Sequence, residues 1–280
     1  MDTKLITELR NRTGAGFMDC KSALAETQDD IEAAIVLLRK KSIIAGENKV
    51  ARQTNQGRVF IDVTDSCAAI MKMTCETDFL ANTEEFIALG QNYITLKRGL
   101  HQLHGFDPEN EIKALDDDLK VLDAKFNEDL SALRSKSGET INLSFPTIIH
   151  AAPDVELFGT YLHSNHKIGV IVKVNCQVTD SNKDLINNIA MHIAATSPRY
   201  ISKSWVDKEV IDGELEIARD KAAKTGKPLK VQEAMVNGAL NKFYGEVCLL
   251  EQKYIKDTSK TIEEIIDDDF HIVTYERYAI

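Results

Sequence analysis

Basic charge is scarce in this 280-residue chain: 34 lysines and arginines stand against 44 aspartates and glutamates, a net charge of −10. A nucleic-acid binder needs clustered Lys and Arg to neutralise phosphates, so direct nucleic-acid contact is not expected. Paired cysteines are missing as well. The five present, Cys20, Cys67, Cys75, Cys176 and Cys248, are odd in number, scattered and never spaced Cys-x-x-Cys. That pattern reads as free thiols in a reducing compartment rather than a disulfide framework. No stretch approaches the roughly 18 consecutive apolar residues of a membrane span. The opening Met1-Asp-Thr-Lys-Leu-Ile-Thr-Glu8 carries acids and no apolar signal core. The expected location is cytoplasmic, with no membrane partner.

Catalytic signatures are equally absent. There is no Gly-x-x-x-x-Gly-Lys-Ser/Thr loop to cradle a nucleoside triphosphate. Thr225-Gly-Lys-Pro228 lacks the upstream glycine, and its proline has no backbone N–H to offer a phosphate. No Gly-x-Ser-x-Gly nucleophile elbow occurs. His101-Gln-Leu-His104 and His163-Ser-Asn-His166 have metal-like spacing. The first reads as part of a Gly-bearing connection and the second as a hairpin turn, with no nearby Cys or Glu completing a ligand set. His192 reads as a helix-surface or core-satisfied histidine, and Asp116–Asp118 and Asp267–Asp269 as solvated faces. No metal, cofactor or enzymatic activity is expected.

What is present is a change of period along the chain. Residues 3 to about 45 read as three short helices. Leu5, Ile6 and Leu9 share one face, and Thr13-Gly-Ala-Gly16 interrupts. Phe17 to Glu26 forms the second. Asp30 or Asp29 caps a third that carries Ile31, Ala34, Ile35 and Leu38 at helical spacing. Residues 42–56 have no clean period and read as a linker or a loosely held helix. From Gly57 strands take over: Val59, Ile61 and Val63 alternate, Thr64-Asp65-Ser66 turns, and Ala68 to Thr74 returns. A helix through Glu84–Gly90, an acidic helix over 108–136 and a strand over 140–150 follow. Later come helices over 207–223 and 230–241 around the Thr225–Pro228 turn, a helix over 261–267 and a strand over 270–278. The fold class is α+β.

The strand–turn–strand unit recurs. Gly57–Cys75 lies over Phe158–Cys176 at a constant offset of 158 − 57 = 101, with Ile70-Met-Lys-Met-Thr-Cys75 over Ile171-Val-Lys-Val-Asn-Cys176. Two similar α/β half-domains follow from that match. The loops after the two cysteines share Thr-Asp but differ at one point, because only the first carries an aromatic, Phe79. Asp78 reads as the N-cap of the helix that follows. Phe79 either staples that helix to its own core or is offered to something else.

Three segments together resemble one family. Leu9-Arg-Asn-Arg-Thr-Gly-Ala-Gly-Phe-Met-Asp-Cys-Lys21, Thr77-Asp-Phe79 and Met191-His-Ile-Ala-Ala-Thr-Ser-Pro198 are similar, in the same order, to segments of the elongation factor Ts family. The resemblance covers nearly the whole chain. It implies a ubiquitin-associated-like (UBA-like) three-helix module over residues 1–50 and a core half-domain over 57–150. It also implies a second half-domain over 151–204 and 239–280, with antiparallel sheets in both. A helical hairpin inserted over 205–238 is, in that family, a dimer contact.

The function so implied is guanine-nucleotide exchange in translation. The factor would bind the GDP form of elongation factor Tu, promote GDP release by disturbing the magnesium and phosphate site, and leave when GTP rebinds. Thr77, Asp78 and Phe79 match the motif that enters the GTPase domain. Arg10, Phe17 and Met18 match N-terminal contact positions, with Phe17 standing where a methionine is common. His163 matches a core histidine that touches the partner beyond the GTPase domain. With the resemblance, Phe79 is expected to point outward. Some members continue past the last strand into a C-terminal helical module, and the contact it makes is not expected of a chain ending at Ile280. The same features permit one alternative, a non-catalytic adaptor.

Overall fold

The computed structural model describes residues 3–13, 15–38, 53–104, 112–152 and 154–280. The greater part of the expected 42–56 linker lies outside these residues, as do the first residues of the expected 108–136 helix.

The chain divides into two compact units. The first comprises residues 1–150, 162–169 and 278–280, and the second comprises 151–161 and 170–277. The first unit opens with helices α1 (Thr3–Thr13), α2 (Phe17–Glu26) and α3 (31–38). Their inward faces make a small core of Ile6, Leu9, Ala15, Cys20, Ala23, Leu24, Ala34 and Leu38. Asp30 caps α3, its Oδ1 accepting from the Ala33 N–H at 3.1 Å.

An antiparallel sheet follows. Strand β1 (Gln56–Val63) pairs with β2 (Cys67–Cys75) in the register Ile61↔Ile70. The expected 140–150 strand is in fact two, β3 (Ile141–Leu143) and β4 (Thr147–His150), both antiparallel to β2. The interruption falls at Ser144-Phe-Pro146, where proline removes one ladder donor. Ser144 keeps β2 paired across the gap, its N–H donating to Lys72 O and its Oγ accepting from the Lys72 N–H, both at 2.9 Å.

Against the sheet lie α4 (Asp78–Ala81) and α5 (Glu84–His104), and α6 (Ile112–Ser137) packs along α5. The core holds Phe60, Met71, Met73, Phe86, Ile94, Phe126 and Ile141, with Tyr93 stacked on Phe126 at 3.9 Å between ring centroids. Helix α5 continues well past Gly90, so His101 and His104 lie on its last turn and not in a connection.

Most of a three-stranded sheet, in the order β5 (Glu156–Leu162), β6 (Ile168–Asn175), β9 (His271–Ala279), belongs to the second unit. Helix α7 (Asp180–Thr196) buries Ile186, Ile189, Ala190, His192 and Ile193. His192 is fully buried and satisfied. Its Nε2 lies 3.0 Å from Gln252 Oε1, and its Nδ1 accepts from the Ile255 N–H at 3.3 Å. Those partners make Nε2 the protonated nitrogen of a neutral ring, and burial holds its pKa below the ordinary value.

Helices α8 (Lys208–Ala223) and α9 (Leu229–Val247) follow, with the Thr225–Pro228 turn between them. Helix α9 continues past Asn241 to Val247, and the side chain of Lys203 lies over the Tyr244 ring. The expected helix over 261–267 is absent. A short hairpin, β7 (Lys253–Tyr254) with β8 (Asp257–Thr261), runs into a 3₁₀ turn at Glu263–Ile265. The periodicity misleads because Ile262 is fully buried while Glu263 and Glu264 are exposed, a contrast that a single turn also produces. Among the described residues no helix is long and apolar enough to cross a membrane.

Candidate functional site: a clamped turn presenting Phe79

Strand β2 ends at Cys75, and the chain enters α4 three residues later. Thr77, not Asp78, is the N-cap. Its backbone is extended, and its hydroxyl accepts from the Leu80 N–H at 3.3 Å. Asp78 is instead the first helical residue, where a carboxylate suits the exposed amides of a helix start. Within this single turn Leu80 and Ala81 are buried, 7% and 3% exposed. Successive helical side chains are about 100° apart, so a turn that buries Leu80 and Ala81 turns Asp78 and Phe79 away. Phe79 is 84% exposed. It does not staple α4 to the core; Leu80 makes that contact.

The turn is held by residues that sequence reasoning did not single out. The Glu139 carboxylate accepts three hydrogen bonds: from the Glu76 N–H (3.1 Å), the Thr77 N–H (3.0 Å) and the Thr77 hydroxyl (2.5 Å). Glu76 Oε1 accepts in return from the Thr140 N–H at 2.8 Å. At the far end of α4, Arg58 of β1 donates from Nε to Ala81 O and from Nη2 to Asn82 Oδ1, both at 3.0 Å. Asn82 Nδ2 donates to Asp78 O at 2.8 Å. Beneath the turn the buried Cys75 thiol donates to Thr77 O at 3.1 Å. Its pKa is pushed up to about 11, first by burial and then by the Glu139 charge. No sequence signal marks Glu139, because its partners are 62 and 63 residues away.

The other expected contact residues lie on separate segments. Arg10 is exposed in the last turn of α1. Phe17 and Met18 open α2, 47% and 68% exposed, while Cys20, Ala23 and Leu24 of that helix face its core. His163 is half-exposed at the β5–β6 turn. Its N–H donates to Ile168 O, and its carbonyl accepts from the His166 N–H. The His166 carbonyl in turn accepts from the Val59 N–H at 2.7 Å, which fixes this tip against β1. A further aromatic that the sequence did not flag, Phe145, is 92% exposed at the break between β3 and β4.

Among the described residues no three His, Cys, Asp or Glu side chains are grouped to hold a metal. His101 faces the His150 ring at 6.2 Å, and His104 Nε2 lies 3.1 Å from Asp118 Oδ2. What the Thr77–Phe79 turn offers chemically is non-covalent: one apolar ring and one carboxylate, held out on a fixed backbone.

Helices packed with small antiparallel sheets make this an α+β protein, one that presents an aromatic side chain at a clamped turn. A family model described as Elongation factor TS matches residues 76–280. The elongation factor Ts of Clostridium botulinum (strain Alaska E43 / Type E3) is 37% identical over 271 residues, 96% of this chain and 86% of that one. That of Photorhabdus laumondii is 37% identical over 279 residues, 99% of this chain and 90% of that one. That of a Nitratiruptor species is 37% identical over 271 residues, 94% and 85%. The chain belongs to the elongation factor Ts family.

Proposed function

We propose that this chain is the guanine-nucleotide exchange factor of elongation factor Tu in translation elongation. It binds the GDP form, promotes GDP release and departs when GTP rebinds. Family membership over nearly the full chain is the observation that carries this reading; the adaptor alternative has nothing comparable behind it. Exchange needs no covalent step. It is a coupling between two ligands of one GTPase, so a factor that weakens GDP binding is itself weakened by GDP to the same degree. The chain therefore acts as a binding protein and not as an enzyme, and its working compartment is the cytoplasm.

In this reading Asp78 and Phe79, presented by Thr77, enter the GTPase near its nucleotide and disturb the magnesium that offsets phosphate charge. The 84% exposure of Phe79 supports that role. Arg10, Phe17 and Met18 grip the partner from a UBA-like module (1–50), for which the separate small core of α1–α3 is support. His163 contacts the partner beyond the GTPase domain.

The remaining chain forms half-domains over 57–150 and over 151–204 with 239–280. The β1–β2 and β5–β6 hairpins support a repeat. So do the matching caps, in which Thr77 and Thr179 each accept from the N–H three residues on, Leu80 and Asn182. The hairpin inserted over 205–238 forms a homodimer contact, and exposed Ile217 and Leu229 on its helices support that use. Release of a fluorescent GDP analogue from elongation factor Tu, with and without this protein, tests the function. Release that the protein does not accelerate would overturn it.

A further inference from the structure

A four-residue helix does not hold itself together. Isolated helices far longer than α4 are marginal in water, because the first turn fixes several residues for one hydrogen bond. Yet α4 carries Phe79, whose ring gains little from its own fold at 84% exposure. The order of this turn is therefore imposed from outside: Leu80 and Ala81 pack on the core, Arg58 holds the far end, and a separate set of hydrogen bonds holds the start. One carboxylate, Glu139, takes both backbone N–H groups of Glu76–Thr77 and the Thr77 hydroxyl. That hydroxyl, having donated to Glu139, has its lone pairs free to cap α4 through the Leu80 N–H. The chain reaches Glu139 from α6 through Gly138 at φ +74°, a conformation that favours glycine, and the Glu139 N–H donates to Ser137 Oγ at 3.3 Å.

From this arrangement we infer that Glu139 is a positioning residue for nucleotide exchange: acting through Thr77, it holds Phe79 in its docking geometry before the partner arrives. The inference rests on the exchange reading above. A turn left unclamped samples many conformations, and apparent affinity falls by the fraction that is competent. Glu139→Gln keeps the shape but replaces one acceptor oxygen with an amide that donates. The amide meets either the Glu76–Thr77 N–H groups or the Thr77 hydroxyl, which can no longer donate as it does now.

The test is stopped-flow GDP-analogue release from elongation factor Tu at rising concentrations of the full-length protein. Four forms are compared: the unsubstituted protein, Glu139→Gln, Phe79→Ala, and the two substitutions together. Glu139→Gln is expected to raise the concentration needed for half-maximal release about tenfold, equal to about 1.4 kcal/mol. In the Phe79→Ala background the same substitution is expected to cost clearly less, the remainder being what the clamp still contributes through Asp78.

An equal penalty in both backgrounds would overturn the inference and make Glu139 a general structural residue. No penalty in either would overturn it as well. Failure of the unsubstituted protein to accelerate release refutes the exchange reading instead. Should Glu139→Gln not fold, Thr77→Val cuts the same link from the other side and is judged by the same cycle.

Discussion

Replacing Phe79 with alanine separates two effects that are usually entangled, loss of fold and loss of binding. A fully buried Phe side chain contributes roughly 1.5–3 kcal/mol. With 84% of Phe79 exposed, about 1.3–2.5 kcal/mol of that remains available to a partner, a factor of roughly eight to seventy in binding. The buried remainder contributes only about 0.2–0.5 kcal/mol to the fold, and alanine is the better helix former. Thermal unfolding should therefore move by less than about 2 °C. GDP-analogue release from elongation factor Tu, measured below saturation, should fall by the stated factor. A large drop in melting temperature with release intact would refute the reasoning, because it would make Phe79 a core residue. A loss of release beyond about a hundredfold would also contradict it, since one ring cannot supply that much by burial alone. The modest ceiling is why the proposed contacts are distributed over Arg10, Phe17, Met18 and His163 as well.

Three further outcomes are expected. Gly159→Ala should destabilise the second unit by about 2–3 kcal/mol, roughly 4–12 °C in melting temperature. A Cβ there would stand 2.0 Å from Ile186 Cγ2 and 2.7 Å from its backbone carbon, which no rotamer change relieves; a neutral effect by circular dichroism would show that α7 can retreat. Acid should weaken the fold through His192. Burial places its folded pKa below the ordinary 6.5, so between those values the unfolded chain holds more protons and stability drops as pH falls. Above 6.5 the ring is neutral in both states and contributes no pH dependence; a urea-midpoint slope unchanged in His192→Gln would place the acid sensitivity elsewhere. Finally, all five free cysteines are buried, and burial raises the Cys75 and Cys248 thiols to about 11. A thiol reagent near neutral pH should leave the native protein untouched and titrate five groups after denaturation, since thiolate is the reactive form. Fast reaction of a native thiol would contradict this burial.

Much of the architecture is legible in the sequence because period and punctuation are local. The alternation of Val59, Ile61 and Val63 and the Thr64–Ser66 turn foretold β1–β2, and the Asp29–Asp30 pair foretold the start of α3, with Asp30 proving to be the cap. Misreadings came where local pattern has two structural answers. Thr77-Asp78 offers two adjacent capping side chains, and the sequence alone does not say which one stands before the helix. Glu263 and Glu264 beside apolar neighbours suit a helix or a 3₁₀ turn equally. Residues 140–150 read as one strand by local pattern, but Pro146 has no ladder donor, and Ser144 bridges the resulting break with a contact to a strand some seventy residues earlier.

The functional turn divides in the same way. Sequence by itself determined that an aromatic follows Thr-Asp after the first cysteine-ended strand, that it has no equivalent in the second, and that the whole resembles elongation factor Ts. Those facts depend on residue identity and spacing, which the chain carries wherever it goes. The direction of Phe79, the choice of Thr77 as cap and the clamp by Glu139 and Arg58 were decided by tertiary structure alone. A side chain's exposure depends on which neighbours are buried, and a carboxylate's partners on what the fold brings within about 3 Å. No local pattern encodes a hydrogen bond that spans some sixty residues.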